Sequence, residues 1–128
     1  MIWKMLISSV VAALLLVQPT SADETCMSPY MAKIVGQEDY VYIWTLGLEG
    51  VGNGEDKLVT VDVNPDSETY GTVIHSLSMG GRNEAHHSGL TDDRRFLWAS
   101  GLDTNKIFIF DVHTDPAAPS LHRTIDDF

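Results

Sequence analysis

Basic residues are scarce in this sequence. It has 8 lysines and arginines against 18 aspartates and glutamates, a formal net charge of −10 at pH 7. Nucleic-acid phosphates and anionic membrane surfaces both attract lysine and arginine. We therefore expect no nucleic-acid partner and no docking on a membrane surface.

Cysteine is almost absent. Cys26 is the only one, so no disulfide can form within the chain. The residues before it, Asp23-Glu24-Thr25, do not form the small-residue motif of a lipoprotein, which argues against a lipid anchor. The sequence leaves open whether Cys26 is an inert thiol, a ligand or half of a bond to another chain.

Long apolar runs are absent apart from one near the N-terminus. Lys4 precedes the apolar run Met5–Val17, which is too short for a bilayer that takes about 20 helical residues. Pro19 breaks the run, and Thr20–Ala22 supplies the small residues that signal peptidases cleave after. We predict a helical signal peptide over residues 1–22, cleavage after Ala22, and a periplasmic or secreted protein without membrane association.

Beyond residue 26 no amphipathic helix is apparent, and the pattern is that of β-strands. Val59, Val61 and Val63 alternate with polar residues, which predicts that the valines share one face of a strand. The glycines of residues 47–56 predict a loop, and polar residues 79–91 predict a long connection. Strands are predicted over Tyr40–Trp44, Leu58–Val63, Thr72–Leu77, Phe96–Ala99, Lys106–Val112 and Leu121–Ile125.

Short turns between these strands predict an all-β antiparallel meander. We assign residues 23–56 to an N-terminal strand and glycine-rich loop. Residues 57–128 are assigned to one four-stranded blade, with strands beginning near Leu58, Thr72, Phe96 and Ile107, and to the start of the next blade. A lone blade buries too little surface, so further blades must stack on it. A β-sandwich or small barrel is the alternative.

The strongest chemical signal is Glu84-Ala85-His86-His87-Ser88-Gly89. Imidazole is a common ligand of copper and zinc. Adjacent residues on a regular strand point to opposite faces, so His86 and His87 can share a metal only where the backbone bends. The alternative is a solvated loop whose histidines make ordinary hydrogen bonds.

The remaining polar and aromatic residues predict ordinary structural roles. His75 lies within a predicted strand, and His113 and His122 flank a proline turn and are predicted to be exposed. Asp92-Asp93 and Asp126-Asp127 are predicted to be solvated, while Trp98, Phe108 and Phe110 are predicted to pack in the core or between blades.

Several segments together resemble the start of the selenium-binding protein family, whose bacterial members include exported, copper-dependent methanethiol oxidases. The resemblance covers about Cys26 to Ile125. It is carried by Leu58–Pro65, Tyr70 with Val73–His75, Glu84 with His86–Gly89, and Ile109–Val112 with Ala118–Pro119 and Leu121–His122.

The resemblance implies a seven-bladed β-propeller several times longer than this chain. It also implies oxidation of methanethiol, a small thiol, by dioxygen and water to formaldehyde, hydrogen sulfide and hydrogen peroxide. By position, His86 and His87 correspond to a histidine pair proposed to bind copper near the propeller axis. The further histidines of the family would lie beyond Phe128, so the isolated chain is expected to be inactive or to bind metal weakly.

One position departs from the family pattern. Animal members carry a selenium-associated cysteine where this sequence has Gly71, which argues against selenium attachment there. A non-catalytic selenium- or metal-binding propeller module is the alternative function. A third alternative is a shortened reading frame without a function of its own.

Overall fold

The computed structural model describes residues 36–127, which form an all-β structure. It contains seven strands and one short 3₁₀ helix, η1 (Leu102–Thr104). The strands are β1 (Tyr40–Thr45), β2 (Lys57–Asp62), β3 (Val73–Ser78), β4 (Ala85–Leu90), β5 (Phe96–Gly101), β6 (Lys106–Asp111) and β7 (Ser120–Ile125).

The N-terminal predictions lie outside these residues. The predicted signal peptide, its cleavage site and Cys26 all precede residue 36. Within residues 36–127 no helix has the length and apolar character needed to cross a bilayer.

The strands form two antiparallel sheets in the order β1-β2-β3 and β4-β5-β6-β7. Each sheet is a meander, because every strand pairs with its neighbour in sequence. Aromatic and β-branched residues make up most of β1 and β6, as suits pleated surfaces that are covered on one side. By the strand order, β1 and β3 are the edge strands of the first sheet, and β4 and β7 are those of the second.

The hydrophobic core lies between the two sheets. The first sheet contributes Leu58, and partly buried Tyr42, Trp44 and Leu77 pack against the cluster. The Trp44 ring centroid lies 5.6 Å from that of Phe108, which joins the sheets directly. The second sheet and the residue after β6 supply the other buried members, Leu97, Ala99, Phe108, Phe110 and Val112.

The prediction of a long connection over residues 79–91 is wrong in its second half. Ala85–Leu90 forms β4, an edge strand whose residues are mostly exposed. The polar sequence of β4 hid it, because an exposed edge strand needs no alternating apolar residues.

The predicted membership of the four-stranded meander is also wrong. The strands beginning near Leu58 and Thr72 belong to the first sheet, and the four-stranded sheet is instead β4 to β7. The boundary predicted between residues 56 and 57 stays a prediction, and the sheets themselves divide between Ser78 and Ala85. The missing β4 caused this error, since without it β3 and β5 are consecutive.

The face of β2 opposite the alternating valines is the more deeply buried one. Leu58, Thr60 and Asp62 are 3%, 0% and 4% exposed, whereas among the alternating valines only Val59 is buried. The polar residues of this strand thus face the core between the sheets. Periodicity identifies the two faces of a strand but does not say which one is covered.

The predicted glycine-rich loop follows β1 and folds back on itself. A Cβ atom at Gly47 would lie 2.1 Å from the carbonyl oxygen of Gly54, so only glycine fits there. The Gly47 amide donates a hydrogen bond of 2.7 Å to Oδ1 of Asp56, which ends the loop. The loop is therefore fixed against the start of β2.

Candidate metal centre

His86 and His87 lie side by side on the edge strand β4. Ala85 pairs with Gly101, but Ser88 pairs with Ala99, so β4 accommodates one more residue than β5 between these two pairs. This β-bulge falls on the two histidines. Because a bulge interrupts the alternation of side chains, it provides the bend that a shared metal requires.

Both histidines border one cavity between β1 and β4. The cavity has a volume of about 140 Å³. Its other walls are mostly apolar and include side chains of both sheets, Tyr42, Trp44, Leu58, Ala85, Leu90, Leu97 and Ala99. His87 also borders a more open depression on the outer side of the second sheet, beside Trp98 and Ile107. Both histidines are thus exposed and line the same apolar recess.

The His86 ring has a carboxylate partner. Its Nε2 atom lies 3.1 Å from Oε1 of Glu84, and the His86 side chain is 55% exposed. Glu84 adopts a positive φ of 51°, a conformation in which residues other than glycine are uncommon. Glu84 thus precedes β4 and the bulge in an unusual backbone conformation.

A buried carboxylate holds that geometry. Oδ2 of Asp56 accepts hydrogen bonds from the amides of Asn83 at 2.8 Å and Glu84 at 2.7 Å, and from the Trp44 indole at 3.2 Å. Although burial disfavours the charged form of Asp56, these bonds and that from Gly47 hold its pKa below the ordinary value. The ionised carboxylate thus joins the loop after β1, the start of β2 and the entry to β4.

Asn83 extends this network to the second sheet. Its side chain is 3% exposed, and its Nδ2 donates to the carbonyl oxygens of Met79 and Gly81. Its Oδ1 accepts a hydrogen bond of 2.9 Å from the Thr104 hydroxyl. The start of β4 is therefore attached to η1 as well as to the first sheet.

The histidine pair fits a metal as part of a ligand set. Within residues 36–127 no three histidine, cysteine, aspartate or glutamate side chains are grouped closely enough to hold a metal. Two exposed imidazoles on one cavity match the donor type that copper and zinc prefer. The assignment of His86 and His87 as metal ligands stays a prediction, and further ligands must come from elsewhere.

The other histidines are not brought to this cavity. His113 and His122 are exposed, as expected, and the His122 ring packs 4.8 Å from that of Phe96. His75 lies in β3 and is partly buried. Asp92, Asp93, Asp126 and Asp127 are exposed, as expected. Phe108 and Phe110 are buried, but Trp98 is 41% exposed on the outer side of the second sheet.

Gly71 lies in the turn before β3, away from the histidines. Its φ is +75°, and its amide donates a hydrogen bond of 2.8 Å to the Asp62 carbonyl. Open space surrounds the position of its absent Cβ. A left-handed turn favours glycine for its backbone, which explains this residue without any ligand.

Sequence reasoning missed Asp56 and Asn83. Asp56 stands at the end of a glycine-rich loop, where an aspartate is ordinarily solvated. Its partners Asn83 and Glu84 lie 27 and 28 residues further along the chain. No local pattern signals such a contact.

A second cleft lies at the opposite end of β4. It has a volume of about 450 Å³ and is lined by residues preceding and within β1 and by Leu90, Arg94, Val112, His113 and Pro116. Arg94 Nη2 bonds Glu38 Oε1 at 2.6 Å, and the Tyr42 hydroxyl donates to the Pro116 carbonyl at 2.9 Å. Burial, together with nearby negative groups, raises the pKa of Tyr42 to about 12. These two hydrogen bonds link the two sheets at this end of β4.

Comparison with known proteins finds one family and several similar sequences. Residues 20–128 match the model of the 56 kDa selenium-binding protein family. The chain is 67% identical over 107 residues to a methanethiol oxidase of Ruegeria pomeroyi, covering 84% of this chain and 24% of the relative. It is 63% identical over 110 residues to a methanethiol oxidase of Hyphomicrobium, covering 85% of this chain and 25% of the relative. The chain thus spans about a quarter of the length of these curated relatives.

More distant relatives include plant and archaeal proteins. Selenium-binding protein 2 of Arabidopsis thaliana is 36% identical over 111 residues, covering 77% of this chain and 23% of that protein. The crystal structure of a hypothetical selenium-binding protein from Sulfolobus tokodaii superposes with a TM-score of 0.63 at 30% identity. That match covers 72% of this chain and 23% of the archaeal chain.

Proposed function

This chain belongs to the 56 kDa selenium-binding protein family, and we propose that it forms the N-terminal part of an exported, copper-dependent methanethiol oxidase. The bacterial relatives that share about two thirds of its residues carry the name methanethiol oxidase. In the proposed reaction, one methanethiol, one dioxygen and one water give formaldehyde, hydrogen sulfide and hydrogen peroxide.

The β-bulge at His86 and His87 is the observation that best supports this proposal. It falls on two histidines that line one cavity, and it supplies the bend that a shared metal needs. We propose both as copper ligands, because neutral imidazole suits copper. When bound, copper supplies a soft acceptor for thiolate sulfur and a redox centre for electron transfer to dioxygen.

The cavity beside the histidines suits a small thiol. Its walls of Trp44, Leu58, Leu97 and Ala99 are apolar and can hold a methyl group out of water. His86 and His87 stand at its border, where the sulfur would meet the metal. A volume of about 140 Å³ limits this recess to small substrates.

The remaining ligands would come from further blades. We propose that the two sheets are neighbouring blades of a seven-bladed propeller, with edge strands β1 and β4 facing its central channel. The two-sheet fold and the match to the archaeal structure support this arrangement. Because two ligands make an incomplete site, residues 23–128 alone are proposed to be inactive and to bind copper weakly.

Activity of the complete protein, the product of the whole reading frame that contains this chain, tests the proposal. We expect hydrogen sulfide and peroxide release from methanethiol, and one bound copper that is lost in His86→Ala and His87→Ala. His113→Ala, at an exposed histidine away from the cavity, should keep both. Full activity and copper content in the first two variants would contradict the ligand assignment.

The same experiment separates the alternative function. A non-catalytic binding module would hold copper or selenium without releasing either product. Gly71 stands where animal members carry a selenium-associated cysteine, which supports the oxidase over a selenium carrier. A reading frame that stops at Phe128 would contradict the proposal of a longer enzyme, and tight stoichiometric copper binding with turnover by residues 23–128 would contradict their proposed inactivity.

Export has its own test. Purified from the cell envelope or medium, the mature protein should begin at Asp23 by N-terminal sequencing, because cleavage is predicted after Ala22. Retention of residues 1–22 in a cytoplasmic product would contradict export.

A further inference from the structure

We propose that Glu84 and Asp56 are positioning residues for the metal ligand His86, with Glu84 selecting the ring nitrogen that faces the metal and Asp56 holding Glu84 in place. This inference rests on the proposed function. It adds two residues, neither of which binds the metal itself.

Glu84 acts on the ring. Its Oε1 atom lies 3.1 Å from Nε2 of His86, and an ionised carboxylate can only accept a hydrogen bond. Because this contact occupies Nε2, Nδ1 is the ring nitrogen of His86 that remains free to face a metal. A carboxylate on the far nitrogen also restricts rotation of the ring.

Asp56 acts on the backbone of Glu84. The φ of 51° at Glu84 is uncommon for this residue type and must be held by its surroundings. Oδ2 of Asp56 accepts the Glu84 amide at 2.7 Å and the preceding Asn83 amide at 2.8 Å. These two bonds fix the direction in which the chain enters the bulge.

Asp56 is itself held firmly to the first sheet. It is 0% exposed, and its carboxylate accepts further bonds from Gly47 and the Trp44 indole. Its backbone amide donates to Gly81 and its carbonyl accepts from Met79. Residues 79–84 link the two sheets, and Asp56 is hydrogen-bonded to both ends of this linker. Asp56 therefore fixes the start of β4 relative to the first sheet.

Copper binding by variants of the complete protein tests the inference. The variants are Glu84→Ala, Glu84→Gln and Asp56→Asn, with Glu68→Ala as the control at an exposed glutamate. Dissociation constants come from competition with a chelator, and Cu(II) electron paramagnetic resonance reports the ligand geometry. Apo-protein melting temperatures separate positioning from loss of fold.

We expect Glu84→Ala and Asp56→Asn to weaken copper binding by about 10- to 100-fold and to change the Cu(II) spectrum. Glu84→Gln should fall between wild type and Glu84→Ala, because an amide oxygen still accepts the Nε2 proton. Glu68→Ala should match wild type. Val112→Ala, a core variant, should lower the melting temperature without changing copper affinity.

Other outcomes overturn the inference. Wild-type copper affinity and Cu(II) spectrum in Glu84→Ala would contradict the positioning role of Glu84. If His86→Ala still loses copper in that case, the proposed function is unaffected. Equal losses in Asp56→Asn and Val112→Ala would reduce Asp56 to a general stabilising role. If Asp56→Asn does not fold, the comparison of Glu84→Ala with Glu84→Gln still tests the contact with His86, because the Glu84 side chain is 34% exposed. If His86→Ala also binds copper normally, both proposals fail.

Discussion

Buried polar residues are a main feature of residues 36–127. Asp56, Thr60, Asp62 and Asn83 are all at most 4% exposed. Asp62 accepts hydrogen bonds from the Asn64 amide and from two hydroxyls in the turn after β2, so its carboxylate shapes that turn. Thr60 is the exception. Its hydroxyl has no hydrogen-bond partner among residues 36–127, and neither has Nε2 of His75, its cross-strand neighbour.

Replacing Thr60 by valine should therefore stabilise the complete protein. Valine keeps the shape and removes an unbonded hydroxyl, so we expect the free energy of unfolding to rise by about 1 kcal/mol. Thr60→Ala, which leaves a small cavity, should lower it by about 1 kcal/mol. Denaturant titration measures both. A loss in Thr60→Val would mean that the hydroxyl is bonded, to water or to another part of the protein.

Asp111 should make stability depend on pH in the acid range. Hydrogen bonds from the Thr114 amide and hydroxyl and from the His113 amide lower its pKa to about 2. A pKa lowered by folding contributes stability above the ordinary value of 3.8 that is lost as pH falls toward the folded value. We expect Asp111→Asn to be less stable than wild type at neutral pH.

That difference should shrink as pH falls from about 4 to about 2, where wild-type Asp111 also loses its charge. Melting temperatures across this range measure it. Asp66→Asn, at an exposed aspartate, serves as the control. A difference between Asp111→Asn and wild type that stays constant across the range would contradict a lowered pKa.

Among the elements, β4 departs furthest from a regular strand. It is exposed, begins after a left-handed residue, and contains a bulge. Its position depends on the linker before it and on the loop of residues 46–56, which supplies Asp56. The geometry of the histidine pair thus depends on elements of the other sheet as well as on the pairing of β4 with β5.

Alanine at Gly47 should destabilise this loop strongly. The new Cβ would lie 2.1 Å from the Gly54 carbonyl oxygen, so the loop must open and the hydrogen bond to Asp56 weakens. We expect a loss of about 3 kcal/mol in the free energy of unfolding. Gly50→Ala, at a left-handed position with open space around it, should cost about 1 kcal/mol. Equal losses in the two variants would contradict the close approach at Gly47.

At the largest scale that residues 36–127 describe, apolar side chains are exposed on the outer faces of both sheets. Val41 and Ile43 are each 43% exposed on the first sheet, and Trp98 is 41% exposed on the second. Half-exposed apolar faces of this kind suit burial against further blades. In the proposed propeller, a neighbouring blade would cover the outer face of each sheet.

The double variant Val41→Thr/Ile43→Thr tests that covering in the complete protein. If a neighbouring blade buries this face, the free energy of unfolding should fall by about 2 kcal/mol. Leu48→Thr/Val51→Thr, at exposed apolar residues of the loop, should change it by less than about 0.5 kcal/mol. A loss no larger than that of the loop variant would mean that the face is free.

Local patterns determined the all-β class and six of the seven strands. Alternating and β-branched residues identify β1 and β2, and glycine, asparagine and aspartate mark the turns, because these signals depend on neighbours in sequence. The family was likewise readable from segments such as Leu58–Pro65 and His86–Gly89. The histidine pair and the need for a bend there followed from the sequence as well.

Only the tertiary structure decided how the strands divide between two sheets and what lies at the histidines. β4 has no apolar alternation, because it is an edge strand bonded to β5 whose central residues, His86 to Gly89, are exposed. The role of Asp56 arises from amides 27 and 28 residues away. Such contacts exist only once the chain has brought distant segments together, so no local pattern can encode them.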